Sequence, residues 1–226
     1  MNFKFLGHAS FMVEFGGKTL LFDPFISPNE LAKDIDISSL NPDYILISHG
    51  HDDHISDVEQ IAKQSGAKII SNFEIVTHYA KKGFEGHPMN HGGKWKFDFG
   101  TVKLVNAVHS STMGDGKVLG HPVGFVIWNA ENCFYFAGDT ALTMDMQIIP
   151  LTCPQLDVAL LPIGDNFTMG YEDAVIAAEW VKTKKVIAYH FDTFGYIKID
   201  HADARASFEA KGIELIIPEI TNTYKI

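Results

Sequence analysis

Short apolar runs separated by polar or glycine-rich turns dominate this chain, and their period separates strands from helices. Asn2 to Leu6, Phe11 to Phe15 and Thr19 to Asp23 read as three strands of a meander, with Gly16-Gly17 supplying the positive φ of a tight hairpin. Tyr44 to Ser48 and Ala67 to Ser71 are further strands. Between them Val58, Ile61 and Ala62 share a helical face behind Ser56 and Glu59, which have capping-box spacing, so the passage reads β-α-β. A second helix is predicted from Asn72, as N-cap, to Lys82, stopped by Gly83. Gly83 to Gly93, rich in Gly, His, Pro and Asn, then reads as a long loop.

Strands are also predicted at Lys94 to Phe97, Thr101 to Val108, Val123 to Trp128, Cys133 to Ala137, Asp157 to Leu161, Lys185 to Tyr189 and Ile213 to Ile217. Amphipathic helices follow at Tyr171 to Lys182 and at Asp200 to Lys211, the latter capped by Asp200 and ended by Gly212. Two strand-rich halves that each close with helices predict two facing sheets with helices outside, a layered α/β arrangement in one domain over residues 1–226.

Composition narrows the picture. The chain has 226 residues, 46% hydrophobic and 20% charged, enough for a core without disulfide or metal staples and too apolar for intrinsic disorder. A net charge of −10 and a single arginine, Arg205, argue against nucleic acid as a partner, because gripping phosphate backbones needs a basic face. No window has 18 uninterrupted apolar residues and no export signal is visible, so neither a membrane partner nor secretion is expected. Two cysteines, Cys133 and Cys153, without C-x-x-C spacing point to a reducing cytoplasm. No residue pattern sets an oligomeric state.

The chemistry concentrates in Ser48-His49-Gly50-His51-Asp52-Asp53-His54, where an apolar strand ends and a helix begins. His49 and His51 alternate in extended chain and so share a side, while Asp53 and His54 turn at the helix entrance toward a second centre. Other metal-competent residues directly follow apolar strands: His109 after VKLVNAV, Asp139 after FYFAG and His190 after KVIAY. Ends of strands in a packed sheet converge on one rim. Imidazoles and carboxylates without thiolate suit zinc and equally manganese, iron or nickel.

These residues resemble the metallo-β-lactamase superfamily, whose H-x-H-x-D-H signature stands here as His49-Gly50-His51-Asp52-Asp53-His54. The resemblance runs along essentially the whole chain, through Asp23 in LLFDPF, His109, Gly138-Asp139-Thr140 and His190. Gly7-His8-Ala9-Ser10, His109-Ser110-Ser111 and the loop Gly164 to Gly170 make it similar to the small metal-dependent hydrolases related to L-ascorbate-6-phosphate lactonase.

The resemblance implies a four-layer αββα sandwich with two divalent transition metal ions, zinc foremost, at one edge. It assigns His49, His51 and His109 to one ion, Asp53, His54 and His190 to the other, and Asp139 as a bridge. Asp23 is then an orienting or structural aspartate, and Asp53 also a proton acceptor; His8, at the end of the first strand, reads as a group that hydrogen-bonds the substrate or assists its leaving group, or else as an orienting or simple rim histidine. Asp165 and Asn166 fall on the same rim, as orienting groups or as a capped turn. Gly114 to Gly120 reads as a flap, His87, His91 and His121 as polar loop residues, and His78 and His201 as helix residues without chemistry.

Asp139 stands where many true β-lactamases carry cysteine, which disfavours antibiotic hydrolysis. The flavodiiron relatives carry glutamate at the place of His51 and need a flavin domain for which 226 residues leave no room. The expected function is hydrolysis of a small-molecule ester, lactone or phosphodiester by a metal-activated hydroxide. The competing class is a non-catalytic metal-binding or regulatory protein that retains the fold.

Overall fold

The computed structural model describes all 226 residues. The first half supplies β1 (Asn2–Gly7), β2 (Ser10–Phe15), β3 (Lys18–Phe22), β4 (Tyr44–Leu46), α1 (Asp52–Ile55), α2 (Val58–Ser65), β5 (Lys68–Asn72), α3 (Phe73–Ala80) and β6 (Gly86–Met89). The second half supplies β7 (Lys94–Lys96), β8 (Thr101–Asn106), β9 (Val123–Trp128), β10 (Cys133–Phe136), α4 (Ile149–Thr152), β11 (Val158–Pro162), α5 (Tyr171–Trp180), β12 (Lys185–Tyr189), α6 (His201–Glu209), β13 (Glu214–Ile216) and β14 (Thr223–Lys225). They form two seven-stranded sheets, ordered β14-β1-β2-β3-β4-β5-β6 and β13-β12-β11-β10-β9-β8-β7. Each sheet joins an antiparallel meander (β1-β2-β3, or β8-β9-β10) to a parallel run (β3 to β6, or β10 to β13).

Period-2 alternation decides which face each side chain takes. On β10, Phe134 and Phe136 point into the seam between the sheets, while Cys133 and Tyr135 face the helices outside. On β12, Ile187 and Tyr189 point inward while Val186 and Ala188 face α5 and α6. The seam is a 23-residue cluster rich in phenylalanine, with Phe22 edge-on to Phe134 at 6.0 Å and Phe136 stacked on Tyr189 at 5.1 Å. A second cluster lies under α5 and α6, and a third under α2 and α3. The layers therefore run α, β, β, α, as expected. Strands buried on both faces account for runs such as VALLP in β11, where all five residues are buried. No helix is long and apolar enough to cross a membrane.

Two local expectations are corrected and one strand is added. The Ser56/Glu59 capping box does not form: Asp57 occupies the N-cap of α2, the Ser56 hydroxyl donates to the Asp52 carbonyl, and Glu59 pairs with Lys82. Gly83 to Gly93 is not all loop, because Gly86 to Met89 pairs in parallel with β5. The last strand, β14, was hidden in a polar tail and closes the edge of β1. The cap at Asn72 does form, its side chain accepting from the Ile75 N–H at 2.8 Å.

Candidate metal centre

Because β1, β3, β4, β8, β10 and β12 all run in the same direction, their C-terminal ends meet on one rim. His8 follows β1, Asp23 follows β3, the Ser48–His54 segment follows β4, His109 follows β8, Asp139 follows β10 and His190 follows β12. The backbone is bent sharply at this rim: His8, Asp23 and His190 adopt left-handed φ of 55°, 39° and 56°. Non-glycine residues rarely hold such φ without surrounding support. At His8 and His190 the support includes a shared bond, the His190 N–H donating to the His8 carbonyl at 2.9 Å. Gly138, with φ of +65°, lets β10 pass close beneath β4, since a Cβ there would meet the Val123 carbonyl oxygen at 2.7 Å and Ser48 Cβ at 2.8 Å.

All the expected ligand residues come together. His49, His51 and His109 each offer a donor atom, and these lie within 4.8 Å of one another. Asp53, His54 and His190 do the same, joined by His8. Asp139 sits between the two groups, its Oδ2 3.0 Å from His190 Nε2, 3.3 Å from His54 Nε2, 3.7 Å from His109 Nε2 and 4.0 Å from His49 Nε2. The side chains of His8, His49 and His54 have no solvent exposure, whereas Asp53 is 29% and His109 15% exposed. Solvent therefore reaches the centre from the Asp53 and His109 side.

Hydrogen bonds fix which nitrogen of each buried imidazole is free. Asp23 Oδ1 accepts the Ser48 N–H at 2.7 Å, and its Oδ2 accepts the Ser48 hydroxyl at 2.5 Å and His54 Nδ1–H at 2.9 Å. The Ser48 proton being committed to Asp23, Ser48 Oγ accepts from His49 Nδ1–H at 2.9 Å. His49 and His54 are thus both turned with Nε2 toward the centre. His49 Nε2 faces His51 Nδ1 at 3.0 Å, and Ser110 Oγ lies 3.0 Å from His51 Nε2.

Three buried polar atoms here, His54 Nε2, Asp139 Oδ1 and His190 Nδ1, have no hydrogen-bond partner. Such atoms are costly unless something else satisfies them, and imidazole nitrogens converging on carboxylate oxygens form a donor set that fits divalent cations. No lysine or arginine pairs with Asp23, Asp53 or Asp139; their charged-range partners are histidines.

Charges in the metal-free chain follow from this packing. Burial lowers His8 to about 4 and His49 well below its ordinary value, and also lowers His51 and His109. Burial would lower His54 as well, but Asp139 and Asp53 overcome it and raise that group well above the ordinary range. Burial would raise Asp53 and Asp139, yet His54 beside the first, and His190 and His54 beside the second, hold both below the ordinary carboxylate range.

The unfolded chain therefore takes up protons near pH 6.5 that the four lowered histidines refuse, so they lose stability on acidification through that window, while Asp23, whose carboxyl burial pushes up, opposes them. His54 acts oppositely, its contribution complete below pH 6.5 and lost as pH rises through its raised value. Urea denaturation in the presence of a chelator should show the loss between about pH 6.5 and 4, with His8 alone contributing on the order of 3 kcal/mol. Stability that stays flat or rises toward pH 4 would contradict these charge states.

Other expected rim residues lie farther out. Asp165 and Asn166 are exposed on a loop whose Met169 N–H donates to the Thr140 carbonyl at 3.0 Å, and neither side chain bonds a centre histidine. The 114–120 segment is a hairpin tied down at Asp52, whose Oδ1 accepts the Gly114 N–H at 3.1 Å, and at His78, which meets Lys117 Nζ at 2.5 Å. His87 packs on Trp95, and His91 Nε2 lies 2.8 Å from the Pro122 carbonyl oxygen, both away from the centre. Ser48 and Thr193 were not singled out as orienting residues. Ser48 stood inside the signature segment, whereas Thr193 lies in a loop with no signal of its own.

An αββα sandwich with this histidine and aspartate rim defines the metallo-β-lactamase superfamily. Residues 2–190 match the family model described as "Beta-lactamase superfamily domain", and the chain belongs to that superfamily. Within it, the chain belongs to the UPF0173 metal-dependent hydrolases: it is 54% identical over the full length of both chains to the member from Flavobacterium johnsoniae. It is 52% identical, again over the full length of both, to the member from Christiangramia forsetii. Among solved structures it is similar to Igni18, a metallo hydrolase from Ignicoccus hospitalis, with TM-score 0.89, 33% identity, and coverage of 100% of this chain and 98% of that one.

Proposed function

We propose that this chain is a cytoplasmic hydrolase holding two divalent ions, zinc foremost, and acting on a small ester or lactone. His49, His51 and His109 would hold one ion, Asp53, His54 and His190 the other, and Asp139 both. The observation that carries the reading is the convergence of these seven side chains, with the buried His54 Nε2 lacking a hydrogen-bond partner 3.3 Å from Asp139 Oδ2. When bound, such ions ionise water near neutral pH and polarise a carbonyl or phosphoryl oxygen.

The chain's own residues do the rest. Asp23 and Ser48 hold His49 and His54 in one tautomer each. Asp53 is the centre's solvent-facing carboxylate, and would take a proton from attacking water and return it to the leaving group. The exposed ring of Phe194, 5.2 Å from the His8 ring, offers an apolar wall at the opening. The chain's single arginine, Arg205, donates to the Leu215 carbonyl on β13 and supplies no bidentate cation for a phosphodiester, so an uncharged ester or lactone fits better. The exposed flank at Asp53 and His109 also argues for an open catalytic centre over a closed structural one. The two cysteines are free, in keeping with a reducing compartment.

Metal analysis should find up to two transition ions per chain. Chelation should abolish hydrolysis, and zinc, manganese or nickel should restore it. In a panel of lactones, esters and phosphodiesters, the lactones or esters should turn over fastest. Purified, active protein free of metal would overturn the reading.

A further inference from the structure

His8 is buried beyond the reach of a leaving group that approaches through solvent, its side chain having no exposure. Both of its ring nitrogens instead have oxygen partners. Nδ1 lies 3.0 Å from Thr193 Oγ1, and that hydroxyl is itself directed at the Phe191 carbonyl oxygen, 3.4 Å away. With Nδ1–H donating to Thr193 Oγ1, the tautomer that leaves this hydroxyl free to reach the carbonyl, His8 Nε2 carries no proton. Nε2 then faces Asp53 Oδ2 at 3.1 Å. In that tautomer Nε2 and the carboxylate oxygen are both acceptors, and a cation serving both removes their repulsion.

The arrangement repeats that of His54, where Nδ1–H is committed to Asp23 and Nε2 stands 3.3 Å from Asp139 Oδ2 without a hydrogen-bond partner. A ligating histidine commonly commits its other N–H to a neighbouring oxygen. His8 also lies against the second group, its ring centroid 4.2 Å from that of His190 with the two planes tilted by 45°, and it holds a left-handed φ of 55°.

We infer that His8 Nε2 is itself a metal donor, the fourth beside Asp53, His54 and His190 and additional to the shared Asp139. The inference rests on the two-ion reading above and changes one part of it: His8 builds the centre and does not act on substrate. The second ion is then the more fully enclosed by protein, and the open coordination falls at His49, His51 and His109.

Two measurements test this. Calorimetric titration of zinc into metal-free protein should give two dissociation constants. In His8→Phe one of them should weaken by more than about 100-fold, the upper end of what loss of an outer hydrogen-bond partner costs, while the other holds. A loss of about 10-fold or less would overturn the inference and leave His8 as a hydrogen-bond partner of Asp53. The second measurement uses the unmutated protein and does not depend on the variant folding. Nitrogen-15 NMR should show the His8 proton on Nδ1 and the Nε2 resonance moving on zinc addition. An Nε2 that keeps a proton while two zinc ions are bound overturns the inference but leaves the hydrolase reading standing. Failure of the unmutated protein to bind zinc, manganese or nickel overturns both.

Discussion

Asp139→Ala is expected to lower hydrolysis by at least about 10³-fold, equivalent to about 4 kcal/mol of transition-state stabilisation. Two divalent ions about 4 Å apart repel by on the order of 15 kcal/mol at an effective dielectric near 20, and an anionic oxygen between them offsets this. Asp139 Oδ2 is the one carboxylate oxygen within 4.0 Å of histidine nitrogens from both groups, so no other residue inherits the task. Metal content should fall from two ions toward one, while circular dichroism stays that of the folded protein, because the sheets close around the phenylalanine seam without Asp139. Retention of both ions with normal turnover would move the bridge to Asp53, the other carboxylate of the cluster that solvent reaches.

The layered fold was legible because two physical signals coincide. Strict alternation on strands such as β2 marks the seam with Phe11, Val13 and Phe15, and continuous apolar runs such as VALLP mark strands covered on both faces. The candidate site was legible for a related reason: its members directly follow apolar strands, and parallel strands bring such positions to one rim. Illegible were the pieces whose role depends on distant partners. Gly86 to Met89 carries proline and histidine, which disfavour a strand, and pairs only because β5 offers a free edge. Ser56 and Glu59 have the spacing of a cap, but Asp52 and Lys82 take their side chains. His8 was visible as a strand-end histidine, yet its tautomer depends on Thr193, 185 residues away.

Asp23→Asn is the change expected to separate metal binding from folding most cleanly. Asp23 is fully buried, and burial pushes its carboxyl up, so an amide of the same shape removes a desolvated charge and should leave the fold largely intact. The amide oxygen must take the Oδ1 place, because the Ser48 N–H there has no other acceptor. Its NH₂ then occupies the Oδ2 place and donates to both Ser48 Oγ and His54 Nδ1. His54 moves its proton to Nε2. Ser48, now accepting from the amide, turns its own proton to His49 Nδ1, and His49 also moves its proton to Nε2. One substitution thereby places N–H groups where both ions need bare nitrogens, the wrong-tautomer effect known from Asp-to-Asn changes in catalytic triads. Zinc affinity at both sites should fall by about 100-fold or more, beyond the usual cost of losing an outer partner, while the urea midpoint of the metal-free protein shifts little. Asp23→Ala should behave differently. It leaves the Ser48 donors unsatisfied, at about 1–3 kcal/mol each, yet imposes no tautomer, so stability falls more and zinc affinity less than in Asp23→Asn. If Asp23→Asn bound two zinc ions with unchanged affinity, or its His49 and His54 resonances kept their protons on Nδ1, the relay from Asp23 through Ser48 would not control the centre.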